Sequence, residues 1–357
     1  MISKYFTSQR QTSLKQTGSL LCVAAIVCCT IMATLSCQQH HDTTAKTFTT
    51  LCINKITPVK DQGNSSLCWA YAMLATIESD RLMLGDSVNL SPHYVAREML
   101  LSQAVGCYLK HATDSFSTKG TAPLLLKLIY RHGIMPFDSY RSSCNYQTLG
   151  RKLTAITRNI MAQKRGFSYL QRTITNTLDD EIGPLPRQVY MLHAEYTPVE
   201  FAHSVCLPGD YVALTSFTHH PFGTWAELEI PDNTTGEQFY NVPIDILMQR
   251  IIQALKQGNS VCWEGDISEP GFSFSQGTAT LPANTAATQQ ERQRQFEAMA
   301  TTDDHCMELI GLAHDEQRHL YFICKNSWGT SNAYHGLMYM SLDYARLKTI
   351  AVCMKRE

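Results

Sequence analysis

The sequence predicts an α+β protein with two lobes. Helical patterns dominate the first half of the chain, whereas short β-rich runs dominate from Val212 onward. The 357 residues are 44% hydrophobic and 17% charged, which provides for a sizeable core and excludes wholesale disorder. The formal net charge of −1 leaves no basic surplus for a phosphate backbone, so nucleic acid is not an expected partner.

The individual elements follow from the spacing of apolar residues and from capping residues. Four helices are predicted in the first half, at 65–84 with Ser65 or Ser66 as the cap, 90–101, 121–132 and 151–163. A further helix begins at Pro243 and ends at Gly258. Strands are predicted at 260–263, 307–312, 320–324, 337–342 and 350–354. Residues 267–302 are rich in Ser, Thr, Gly and Gln, and we expect a long loop or flap there.

Residues 1–37 are typical of an export presequence. Basic residues precede a charge-free run in which 14 of the 18 residues from 19 to 36 are apolar. The run ends at Ser36-Cys37, which resembles the lipobox of bacterial lipoproteins. Lipidation of Cys37, ordinary signal cleavage and an uncleaved membrane anchor all remain open. We expect an exported protein of the bacterial cell envelope, in the periplasm or outer membrane, with a polar tether at 38–52 and a main domain at 53–357.

No metal or other cofactor is expected. The nine cysteines after the presequence contain no CxxC pair, which argues against a zinc ribbon or a thioredoxin-type site. Most of them are expected to be buried thiols, and any disulfide connectivity stays open. The tandem pair His219-His220 would point to opposite faces of a strand and has no carboxylate cluster beside it, so it does not indicate a metal site.

Three chemical groups of the sequence fit an activated sulfur nucleophile. Cys68 stands at the first turn of a predicted helix, whose partial positive charge favours thiolate over thiol. His305 precedes one predicted strand, and Asn326 follows another. Gln62, six residues before Cys68, brings a side-chain amide toward the same place. A thiol, an imidazole and an orienting amide are the parts of such a nucleophile.

These motifs resemble those of papain-like cysteine peptidases. The run around Cys68 is similar to their nucleophile motif, and Asn326-Ser327-Trp328-Gly329 matches their Asn-Ser-Trp-Gly motif. The resemblance implies a two-lobed fold in which a helical lobe and a β-barrel-like lobe flank a cleft. It also implies a thiol peptidase that acts on peptides or proteins. In that reading Cys68 is the nucleophile, His305 the general base, Asn326 its orienting partner and Gln62 an oxyanion donor, while Trp328 shields the His–Asn hydrogen bond.

The spacing resembles that of the bleomycin hydrolase / aminopeptidase C branch, in its smaller exported bacterial members. Cys68 and His305 are 237 residues apart, whereas secreted papain-type enzymes have roughly 130–150, which implies an insertion near 150–250. Ser65 stands where those secreted enzymes carry a disulfide cysteine. Three further runs resemble the branch: 90–94, 215–222 and 240–245.

Departures from the family leave the mode of action open. Ser66-Leu67 replaces a glycine-containing pair before the nucleophile, and Cys306 replaces a small residue after the histidine. The chain ends without a run like the bleomycin hydrolase tail, so aminopeptidase and endopeptidase modes both remain. A catalytically silent binding lipoprotein and a thiol acyltransferase are the alternatives. Asp303 and Asp304 either bind a substrate amine, tune His305 or lie in a solvated loop. Nothing indicates an oligomeric state.

Overall fold

The computed structural model describes residues 46–191 and 193–356. The helices are α1 (Cys68–Met83), α2 (Pro92–Lys110), α3 (Ala122–His132), α4 (Tyr146–Ala162), α5 (Phe167–Glu181), α6 (Pro198–Val205), α7 (Ile244–Lys256), α8 (Gln289–Glu297) and α9 (Leu342–Lys348). The strands are β1 (Thr49–Ile53), β2 (Val189–Met191), β3 (Ala194–Tyr196), β4 (Tyr211–Thr215), β5 (Trp225–Glu227), β6 (Gln238–Asn241), β7 (Val261–Gly265), β8 (Phe272–Ser273), β9 (Thr278–Ala279), β10 (His305–His314), β11 (Leu320–Lys325), β12 (Leu337–Ser341) and β13 (Thr349–Lys355). The predicted order, helices first and sheet second, is confirmed.

The start of α1 differs from the sequence prediction. Neither Ser65 nor Ser66 caps this helix, because its N-cap is Leu67 and no side chain accepts a hydrogen bond from the first turn. The Ser65 hydroxyl instead donates to the Gln62 carbonyl at 2.7 Å, and the Ser66 hydroxyl lies 3.0 Å from that of Thr118. The amide groups of the first turn therefore have no side-chain acceptor.

Two parts of the chain are more helical than the sequence pattern indicates. Helices α5 and α6 fall in residues where no helix was predicted. The predicted loop at 267–302 contains β8, β9 and α8. Helix α8 has few apolar residues to show a period, and it is anchored by the fully buried Arg292. The Arg292 guanidinium donates to the Ser216 carbonyl at 2.8 Å and lies over the Phe217 ring. A long-range anchor of this kind leaves no periodic signal.

One long sheet separates two apolar cores. Its strands follow the order β5-β6-β4-β13-β7-β10-β11-β12-β9-β8, with β1 added to β10. Successive residues of β10 point to opposite faces: Cys306 belongs to the core beneath the helical lobe, and Met307 belongs to the core covered by α7. This alternation gives the sheet two buried faces, so both lobes pack against the same sheet.

The folded domain begins before the expected boundary at residue 53. Strand β1 pairs antiparallel with β10, from Thr49 opposite His314 to Ile53 opposite Gly311. Part of the segment expected to be a polar tether is therefore a strand. The polar residues before this strand make the whole segment look like a tether in the sequence. The presequence at 1–37, including Cys37, lies outside the described residues. Within the described ranges, the helices are too short or too polar to cross a bilayer.

We expect Gly311→Ala to destabilise the protein. A Cβ at position 311 would lie 2.3 Å from the carbonyl oxygen of Cys52, so β1 would have to move away from β10. The free energy of unfolding should fall by about 1–3 kcal/mol, as for other overpacked sites. Gly106→Ala is the control, since a Cβ there meets no atom within 4 Å in α2, and it should stabilise the helix by up to about 1 kcal/mol. Denaturant unfolding measures both, and equal stability of the two variants would contradict the packing of β1.

Candidate active site

The nucleophile candidate stands at the junction of the two lobes. Cys68 is the first residue of α1, and residues 69–80 of that helix are all buried. The helix packs against β10 and β7. Because His305 is the first residue of β10, the packing brings the start of the helix to the start of the strand. The thiol is half-buried, and the His305 imidazole lies within hydrogen-bond reach of it.

The imidazole is held by the predicted amide. His305 Nε2 lies 2.8 Å from Asn326 Oδ1, and both residues are buried. The same Asn326 oxygen accepts the backbone N–H of Ser327 at 2.7 Å, so the amide oxygen faces the ring. Nε2 therefore carries the donated proton, and Nδ1 is left for the thiol. The centroids of the Trp328 and His305 rings are 4.6 Å apart, a position that suits the expected shield over this hydrogen bond.

The thiol of Cys68 has a pKa well below its usual value. The largest cause is a hydrogen bond from the Cys306 thiol, followed by burial, which opposes it, and by the hydrogen bond and charge of His305. The Cys306 thiol, which donates to the thiolate, has its own pKa raised well above the usual range. The Cys306 thiol thus stabilises the thiolate form of Cys68. The sequence pattern does not reveal this role, because Cys306 stands there as a bulky departure from the family; its position beside His305 is the available signal.

The Gln62 loop is attached to the Asn326 loop. Gln62 N–H donates to the Ser327 carbonyl at 2.8 Å, and Gly329 N–H donates to the Lys60 carbonyl at 3.2 Å. The Ser327 hydroxyl donates to Gln62 Oε1 at 2.6 Å, so the Gln62 amide is fixed in orientation. Its Nε2 donates to the Ser65 carbonyl at 2.8 Å, which uses one of two hydrogens. The loop that carries Gln62 and the loop that carries Asn326 are therefore joined into one hydrogen-bonded unit.

The tandem histidines do meet a carboxylate, contrary to the sequence argument. His219 and His220 lie in a turn rather than in a strand, and Nε2 of each reaches Glu229, at 3.1 and 2.9 Å. The three side chains are close enough to hold an ion. However, Gln293 Nε2 donates to His219 Nδ1 at 2.9 Å, and Gln293 Oε1 is fixed by the N–H of Thr218. His219 Nε2 is then the protonated nitrogen, which suits donation to Glu229 and not metal ligation.

The nine cysteines of the described chain are all free thiols. Burial raises the pKa of Cys206 to about 12 and raises the pKa values of Cys324 and Cys353 further, so those sulfurs are inert. The expectation of mostly buried thiols is confirmed. Among the nine, Cys68 combines a lowered pKa with a half-buried position.

Comparisons with known proteins point to one group of enzymes. A model of the Peptidase C1-like family matches residues 186–357, which include His305 and Asn326. Aminopeptidase G of Lactobacillus delbrueckii subsp. lactis is 27% identical over 43% of this chain, and the chain covers 38% of that protein's length. The mitochondrial cysteine proteinase 1 of Saccharomyces cerevisiae (strain JAY291) is 23% identical over 84% of this chain and 74% of its own. The crystal structure of PepW from Lactobacillus rhamnosis has the same fold, with a TM-score of 0.67 at 16% identity, covering 100% of this chain and 92% of PepW.

Replacing Cys306 by Ala should raise the pKa of Cys68, because the thiolate loses its hydrogen-bond donor. The measurement is the pH dependence of brief iodoacetamide labelling, read by mass spectrometry. In the unaltered protein, Cys68 should label before the other eight cysteines near pH 6, and in Cys306→Ala the midpoint for Cys68 should move to higher pH.

Cys144→Ala is the control, because it removes a half-buried thiol elsewhere and should leave the Cys68 midpoint unchanged. An unchanged midpoint in Cys306→Ala would show that the second thiol does not stabilise the thiolate. Uniform labelling of all nine cysteines would overturn the choice of Cys68 itself.

Proposed function

We propose that this chain is a papain-like cysteine peptidase and that it hydrolyses peptide bonds through an acyl-enzyme on Cys68. The observation that carries the proposal is the arrangement of three groups in chain order. The Cys68 thiolate meets His305, and His305 Nε2 is held at 2.8 Å by Asn326 Oδ1. The match of residues 186–357 to the Peptidase C1-like family supports the same reaction class.

The first half of the reaction forms the acyl-enzyme. The Cys68 thiolate attacks the carbonyl carbon of the scissile bond, and His305, protonated at Nδ1, then gives that proton to the leaving amine. Asn326 keeps the imidazole in the ring orientation that this transfer needs. In the second half, His305 takes a proton from water and the resulting hydroxide attacks the thioester. The carbon–sulfur bond then breaks, which releases the acid product and returns Cys68 to its thiolate form.

The developing oxyanion has two donors, one at the start of α1 and one in the Gln62 loop. The backbone N–H of Cys68 belongs to the uncapped first turn of α1, and the second hydrogen of Gln62 Nε2 is free of the Ser65 carbonyl bond. The helix holds the first donor, and the hydrogen bond from the Ser327 hydroxyl to Gln62 Oε1 holds the second. Donors fixed before the reaction stabilise the transition state without reorganisation.

The four assigned side chains should differ in importance. Cys68→Ala should abolish peptidase activity, His305→Ala should nearly do so, and Asn326→Ala should reduce it in part, since the amide moves no proton. Gln62→Ala should lower kcat by about 10²–10³ with little change in KM, because its amide meets an oxyanion present in the transition state alone. Turnover of a peptide library measures these effects, with thermal unfolding to confirm the fold of each variant.

His203→Ala is the matched histidine control. That imidazole is bonded to the Tyr130 carbonyl and takes no part in the proposed chemistry. If a folded His305→Ala variant keeps full turnover and His203→Ala loses it, the assignment of His305 as the base is wrong. An added amine acceptor tests the acyltransferase alternative: a peptidase releases acid, whereas a transferase releases the new amide.

We further propose that the protein is exported and held at a bacterial envelope membrane through lipid on Cys37. The apolar run of residues 19–36 followed by Ser36-Cys37 supports this. Cys37→Ala should shift the protein from the membrane fraction to the soluble fraction, with Cys28→Ala as the control that should not. Unchanged membrane association with an intact N-terminus would instead indicate an uncleaved anchor.

A further inference from the structure

Two acidic side chains, the buried Glu264 and the half-buried Asp303, lie next to the thiol pair of the active site. Glu264 in β7 is the direct partner of Cys306 in β10. Directly opposed residues of antiparallel strands point to the same face, with Cβ atoms about 5 Å apart. Interaction between the Cys306 and Cys68 thiols is the largest cause of the pKa shifts of both groups. The Cys306 side chain therefore lies between Glu264 and the nucleophile.

Asp303 completes the pair. The N–H of Asp304 donates to the Gly265 carbonyl at 3.3 Å, which brings Asp303 beside Glu264. The two carboxyl groups lie within hydrogen-bond reach of each other. Glu264 is 3% exposed, yet its Oε1 has no donor among the described residues, and the same holds for Asp303 Oδ2. A buried carboxylate without a donor is unfavourable.

The surroundings leave this pair short of positive charge. Burial and the charge of Asp303 raise the pKa of Glu264 well above its usual value, and burial and the charge of Asp232 raise the pKa of Asp303 to about 7. Lys119 is the cation that acts on Asp303, but its ammonium is paired with Asp232 at 2.9 Å. Because two carboxyl groups this close do not both ionise readily, Glu264 and Asp303 share a proton.

We propose that Glu264 and Asp303 form a subsite beside Cys68 that binds a cationic group of the peptide substrate, either an α-ammonium group or a lysine or arginine side chain. The inference rests on the proposed peptidase function and adds its substrate preference. Binding of the cation lets both carboxyl groups ionise, and the shared proton passes to solvent. The ammonium or guanidinium supplies the donors that Glu264 Oε1 and Asp303 Oδ2 lack.

The subsite can be tested without peptidase turnover, by alkylation of Cys68. The probes are 2-bromoethylammonium, which is cationic, and iodoacetamide, which is neutral. The double variant Glu264→Gln/Asp303→Asn should lower the ratio of the cationic to the neutral rate by about tenfold, as expected for loss of a charge-assisted bond. The ratio cancels any change in the thiolate fraction of Cys68. Glu227→Gln, which removes an exposed acid elsewhere, should leave the ratio unchanged.

Two pairs of fluorogenic amides identify the source of the cation. The first pair compares a free aminoacyl amide with its N-acetylated form. The second compares N-acetylated dipeptidyl amides with arginine or norleucine as the second residue from the scissile bond. The cationic member of at least one pair should be preferred, and the double variant should lose that preference by about tenfold in kcat/KM while the neutral member is unaffected.

The outcomes separate the two proposals. No cationic preference in the unaltered protein, or an equal loss for cationic and neutral probes in the variant, would overturn the subsite. If none of the amides is hydrolysed while the alkylation ratio still depends on Glu264 and Asp303, the peptidase proposal falls and the cation subsite stands. Retained iodoacetamide labelling of Cys68 in the variant shows that the site has kept its fold.

Discussion

The packing of α1 against the sheet is the constraint on which the active site depends. Cys68 and His305 are distant in the sequence, and neither lobe alone places them together. They meet because the helix begins where β10 begins and lies along the strands behind it. Any slip of the helix along the sheet would separate the thiol from the imidazole, so the geometry of the reaction follows from the stability of this interface.

A buried polar network fixes the register of that interface. Glu78 of α1 accepts hydrogen bonds from the Lys60 ammonium at 2.7 Å and from the Leu90 N–H at 2.6 Å. Lys325 of β11 reaches Thr57 at 3.0 Å and lies 3.5 Å from Glu308. Polar groups that are paired in one arrangement are left unpaired in any other, which makes a shifted packing unfavourable. Because Lys60 and Lys325 adjoin the loops of Gln62 and Asn326, the network also positions the catalytic groups.

The groups around the nucleophile differ in electrostatic character with their distance from the sulfur. His305, the Cys306 thiol and the first turn of α1 are nearest and stabilise negative charge on sulfur. Beside Cys306 and farther from the sulfur, Glu264 and Asp303 disfavour further negative charge and share a proton. An acidic pair beyond the donors of the thiolate suits a substrate that carries a cation near its scissile bond, and it disfavours an acidic residue there.

The sequence by itself determined the α+β class and the main helices, and it predicted the nucleophile, its base and the orienting amide that the fold brings together. Cys68, Asn326 and Trp328 stand in short motifs whose residues act close to one another in the chain, so the pattern could be read directly. Cys306 and Glu264 could not be assigned in this way. Their roles come from a strand pairing and from a helix packed above it, and a one-residue slip of that pairing would turn Glu264 away from the thiols. The register of β7 against β10 is set by two cores and many distant contacts, so only the tertiary structure decided it.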